Sequence, residues 1–170
     1  MKLKYVGLAL VLLLISSYLV PESPIIPVKG ASSKDWNSQT FWYEPWGASG
    51  VHKGIDIFAP KNTAVIAPTP MLIIYRGDFF QGGKVVVGLG PKWQIHYFAH
   101  LATIAADTGL IVAKGETLGA VGDTGNAQGK PPHLHYSILS LLPKPWLIDT
   151  STQGYKKAFY QNPIRYLEAQ

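Results

Sequence analysis

No cysteine occurs in the 170 residues, which excludes a disulfide framework, a thiolate metal site and attachment through a lipid-modified cysteine. Any metal held by this chain must therefore use histidine and carboxylate. Charge is also sparse, at 15% of residues. Of the 15 basic side chains Lys2 and Lys4 precede an apolar run, leaving 13 basic against 10 acidic residues from Pro21 onward. That excess is small and forms no long basic block, so nucleic acid is not expected as a partner. Segments of helical period are missing before Gly154. The composition instead has 17 glycines and 13 prolines with 47% hydrophobic residues, which implies one compact, turn-rich domain rather than a helical bundle.

Met1 to Val20 has two lysines, an unbroken apolar run from Val6 to Ile15, and then Ser16-Ser17-Tyr18-Leu19-Val20. This is the plan of an export signal. Sixteen apolar-rich residues from Tyr5 to Val20 make about 24 Å of helix, short of a ~30 Å hydrocarbon core, so length favours a cleavable signal. The lack of an Ala-x-Ala site, with Ile15 at the −3 position of the candidate ending at Ser17, favours an uncleaved membrane anchor with the remainder outside the cytoplasm. Residues 21–40, with Pro21, Pro24, Pro27 and Gly30, read as a flexible linker. The aromatic cluster Phe41-Trp42-Tyr43-Glu44-Pro45-Trp46 opens the folded domain, 41–170, either as a lid on the core or as a substrate platform, and the lid is the commoner use.

From Val51 the pattern is β. Runs at Val51–Phe58, Thr63–Ala67, Met71–Arg76, Lys84–Leu89, Trp93–His100, Thr117–Val121 and His133–Leu139 are separated by Gly and Pro. Seven short strands predict an all-β fold of antiparallel sheets forming a groove, sandwich-like, with a short helical C-terminal tail over Lys156–Tyr160 and after Asn162-Pro163. Gly82-Gly83 reads as a hairpin turn.

Chemistry concentrates on three of these segments. His133 and His135 lie two apart, so a strand would aim both imidazoles into one space. Upstream, His52 and Asp56 lie four apart, again on one face if extended. With His135 they make a His, His, Asp set that leaves a fourth zinc position open for water, as hydrolytic zinc sites require. His100 ends the alternating run from Gln94; His96 shares its face and is expected to be an ordinary strand residue. Each motif alone would be structural, and their combination favours metal.

These residues resemble a known family. His52-x-x-x-Asp56, Ala99-His100-Leu101, Gly115-Glu116-x-Leu118-Gly119-x-Val121-Gly122-x-Thr124-Gly125-Asn126 and His133-x-His135 are similar, in order and spacing, to the lysostaphin-type (LytM-like) zinc metallopeptidases, which cut peptide bridges of bacterial cell walls. The similarity runs from about Gly47 to Tyr136. The three-residue gap between His52 and Asp56 disfavours the related zinc peptidases that remove D-alanine. The resemblance implies one Zn2+ on His52, Asp56 and His135, with His100 and His133 flanking the metal-bound water as catalytic residues. It implies an exported zinc metallopeptidase domain acting on peptidoglycan peptides at the cell envelope. The alternatives are an inactive module of the same fold that binds peptidoglycan or regulates a hydrolase, and a secreted bacteriolytic enzyme. The chain departs from the family at Trp46, where some members carry a tyrosine able to steady the oxyanion, and at Phe98, commonly tyrosine.

Overall fold

The computed structural model describes residues 2–105 and 107–168. Helix α1 (Lys2–Ser16) leads into a 3-10 turn at Ser17–Leu19. Nine strands follow among the described residues: β1 (Ile55–Phe58), β2 (Ala64–Ile66), β3 (Met71–Phe79), β4 (Gly83–Gly90), β5 (Gln94–Ile104), β6 (Ile111–Val112), β7 (Thr117–Val121), β8 (His133–Ser140) and β9 (Tyr160–Gln161). The tail is helical as expected, with a 3-10 segment at Gly154–Phe159 and helix α2 (Pro163–Glu168).

All pairings among the described strands are antiparallel, in the order β1-β8-β5-β4-β3-β6, with β7 joined to β5 and β2, and β9 to β8. The groove-forming layers are thus parts of one continuous sheet. Strand β5 is its pivot. One edge pairs with β8 from Gln94 to Ala99 and with β7 from Leu101 to Ile104, so the strand changes partner at His100. His100 has φ 64°, a left-handed backbone unusual outside glycine, and this irregularity marks the change.

Alternation places Ile55 and Ile57 of β1, Phe98 of β5 and Leu134, Tyr136 and Ile138 of β8 in the core. Phe98 and Tyr136 are cross-strand partners whose rings stack at 5.2 Å, so phenylalanine at position 98 acts in packing. His96, expected as an ordinary strand residue, is fully buried with its Nδ1 2.7 Å from the Tyr136 hydroxyl.

The expectation of a flexible linker over residues 21–40 is corrected. Val28 is 1% exposed and bridges to Val65 of β2; Ile25 N–H donates to the Pro68 carbonyl and Lys29 N–H to that of Ala64. Trp36 joins the core cluster. The prolines hold this stretch extended where it lies along a sheet edge, and the apolar side chains between them supply the anchors. Composition alone hid that because the anchors are few.

Candidate metal centre

Strand register brings the metal-binding candidates together. Asp56 of β1 lies opposite His135 of β8, and Phe58 opposite His133. His52 reaches the same point from the loop before β1, which presses so closely on β8 that a Cβ at Gly54 would stand 2.5 Å from both the Tyr136 carbonyl and Ser137 Oγ. Only glycine permits that approach. His52 Nε2, Asp56 Oδ1 and His135 Nδ1 then converge, 3.1 Å from His52 to each of the other two and 2.8 Å between Asp56 and His135.

Each histidine is also oriented from behind. His52 Nδ1 donates to the Thr40 carbonyl at 3.0 Å, His100 Nδ1 to that of Thr124 at 2.9 Å and His133 Nδ1 to that of Pro131 at 2.8 Å. A carbonyl only accepts, so these bonds place the proton on Nδ1 and leave an Nε2 lone pair on each neutral ring. His135 Nε2 is 2.9 Å from Ser137 Oγ. The consequence for metal is direct. The His52 Nε2 lone pair, the His135 ring nitrogen and a carboxylate oxygen meet within hydrogen-bond distance in a part-buried place. That electron-rich cluster fits a cation, and its donors suit zinc.

Burial opposes the charge on Asp56, but the His135 and His52 rings against it override that and hold the carboxyl below its ordinary range. Desolvation, reinforced by neighbouring histidines, lowers His100 to about 4. Desolvation also lowers His135. These rings thus favour the neutral state that coordination and proton acceptance both need. His100 and His133 pack edge to face at 5.1 Å, and His133 Nε2 lies 3.8 Å from Asp56 Oδ2.

The five sequence-derived candidates, His52, Asp56, His100, His133 and His135, all line one cleft of about 560 Å³. His96 is not among them. Trp46 lines it too, its indole stacked on the His52 ring at 4.0 Å and 21°. Part of the aromatic cluster thus belongs to the site and not only to a lid. The carbonyls of Thr40, Thr124 and Pro131 escaped the sequence reading, as did the part played in the site by the β3–β4 hairpin, whose turn was expected at Gly82-Gly83. Gly82 O accepts from His100 N–H there, and a Cβ at Gly83 would stand 2.3 Å from Thr124 Oγ1, so the turn also fixes the His100 corner.

An antiparallel β fold thus carries a His-Asp-His group able to hold a metal, flanked by two further histidines. Peptidase family M23 matches residues 50–144, more than half of the chain, and the chain belongs to that family. Among curated relatives, the L-Ala–D-Glu endopeptidase of Bacillus subtilis is 34% identical over 113 residues, covering 61% of this chain and 35% of the relative. The murein hydrolase activator NlpD of Escherichia coli is 29% identical over 105 residues, covering 61% of this chain and 27% of the relative. The chain thus spans about a third or less of the length of these two. Of solved structures, the catalytic domain of Staphylococcus simulans lysostaphin is similar with a TM-score of 0.56 at 24% identity, over 73% of this chain and 85% of that one. LytU gives 0.61 at 23%, over 83% and 87%. The fold is of the lysostaphin type.

Proposed function

We propose that the chain is a zinc-dependent endopeptidase that hydrolyses stem or cross-link peptides of bacterial peptidoglycan. The observation that carries this reading is the convergence of three ligand atoms, His52 Nε2, Asp56 Oδ1 and His135 Nδ1, beside two imidazoles that each keep a free Nε2. When bound, zinc would supply a Lewis acid that lowers the pKa of water to about 7 and polarises a peptide carbonyl. The rest falls to the protein. His133 or His100 accepts the proton of the attacking water at Nε2, its Nδ1–H held by the Pro131 or Thr124 carbonyl. The imidazolium formed at His133 faces Asp56 Oδ2, which stabilises it until the proton passes to the departing amine. Water thus adds across the amide to give a carboxylic acid and an amine. Trp46 clamps the His52 ring, and Lys53 and Lys130 along the cleft suit substrates rich in carboxylates, as wall stem peptides are.

In this reading the domain is exported and works at the cell envelope. Helix α1 supports it: Tyr5, Val6, Leu8, Val11, Leu12 and Ile15 are each at least half exposed, and a helix apolar around its described faces is at home in a bilayer. No described helix is long and apolar enough to cross a membrane, so α1 would anchor without spanning by itself. Similarity to NlpD supports a second reading, a hydrolase-regulating module. Digestion of purified peptidoglycan by the zinc-loaded chain separates the two. Loss of cross-linked or stem peptides, read by mass spectrometry, is expected. No product from several wall types with zinc bound would favour the regulator.

A further inference from the structure

A second polar cavity, of about 300 Å³, lies away from the cleft and shares none of its lining residues. Lys92, Lys144 and Arg165 line it with a single carboxylate, Glu22, so its formal charge is positive. Glu22 is nearly buried, 2.9 Å from Lys92 Nζ and bonded by the Tyr166 hydroxyl. Among the described residues Lys144 Nζ reaches only the neutral Gln161 Oε1, at 3.3 Å. The cavity therefore has cationic capacity that its own carboxylate does not use.

Beside it runs an exposed apolar loop. Leu141 is 50%, Trp146 76%, Leu147 40% and Ile148 50% exposed, with Lys144 between them. Leu141 N–H donates to the Trp93 carbonyl, and the Trp93 indole N–H donates to the carbonyl of Leu14 at the end of α1. Loop, cavity and apolar helix are therefore one contiguous face. Aromatic side chains interleaved with Lys and Arg next to an apolar helix are the chemistry of a membrane–water boundary. A protein partner would account for the loop, but not for its continuity with α1.

We propose that this face docks on an anionic phospholipid bilayer, with Leu141, Trp146 and Leu147 entering the interfacial layer and Lys92, Lys144 and Arg165 meeting lipid phosphates. The proposal rests on the reading of α1 as a membrane-associated helix and is independent of hydrolysis. The test uses the full chain mixed with phosphatidylcholine–phosphatidylglycerol vesicles, brominated or not near the head of the acyl chain. Flotation reports α1. The emission difference between wild type and Trp146→Phe reports the loop. The expected result is flotation of both proteins, with bromolipid quenching the Trp146 component. Protein left at the bottom of the gradient overturns the anchoring reading and docking together. Flotation with an unquenched Trp146 component overturns docking alone and leaves the anchor standing. Replacing Lys92, Lys144 and Arg165 by Gln should keep flotation and reduce that quenching; undiminished quenching overturns the role of these three cations.

Discussion

Acid should destabilise the fold through His96, and the size of the effect follows from its surroundings. The ring is fully buried, its Nδ1 is taken by the Tyr136 hydroxyl, and its Nε2 has no partner among the described residues. Desolvation lowers its pKa from 6.5 to about 3. A lowered histidine value means that the unfolded chain binds the extra proton first, so stability is lost as pH falls below about 6.5 and the loss levels off only near 3. One proton of difference costs ~1.4 kcal/mol per pH unit, hence about 2 kcal/mol at pH 5. Against a typical total of 5–15 kcal/mol that is readily seen. His96→Asn retains an acceptor for Tyr136 in its Oδ1 and removes the titration. Denaturant melts of both zinc-loaded proteins between pH 7 and pH 5 should show a steeper decline for wild type by that amount. His100 and His135, also lowered, contribute to both proteins and cancel in the difference. Parallel slopes would refute the argument.

The site makes further demands. His52→Ala or His135→Ala should abolish zinc binding by metal analysis, and one zinc retained per chain would sink the ligand assignment. His100→Ala should keep zinc and lose about 10²–10⁴ in peptidoglycan hydrolysis, the usual worth of general acid–base catalysis; full activity would remove His100 from the mechanism. Gly54→Ala should cost roughly 1–3 kcal/mol by overpacking and weaken zinc, since its Cβ would strike the β8 backbone 2.5 Å away. Unchanged melting and zinc content would contradict the close approach described at that loop.

Much of this was written in residue type and spacing. Period-two alternation and Gly/Pro punctuation located seven strands, and Thr117–Val121 ends where expected. The run expected from Val51 begins as a strand only at Ile55, because the turn around Gly54 takes its first residues. The two-residue strands Ile111–Val112 and Tyr160–Gln161 are too short to carry a period. At the site, side chains announce themselves and backbone does not. The carbonyls of Thr40, Thr124 and Pro131 fix the proton positions of three histidines, yet a carbonyl looks the same on every residue. The left-handed backbone of His100 was hidden for a related reason, since it follows from β5 changing partners.

Strands β5 and β8 tie the candidate metal centre to the proposed docking face. They pair at Ala99 with His135 near the metal group, and at Gln94 with Ser140 where the loop 141–148 and the cationic cavity begin. Five residues at ~3.3 Å each put about 17 Å of rigid, hydrogen-bonded strand between the two. The segment that should have been slack, residues 21–40, is held against β2 instead, and Glu22 is fixed by Tyr166 and Lys92. Little free chain then remains between α1 and the domain. On the docking proposed above, the standoff of the cleft from the bilayer is set by strand length rather than by linker reach. Such a domain would meet only those wall peptides that come to that height, and would be selective by position before its cleft discriminated by sequence.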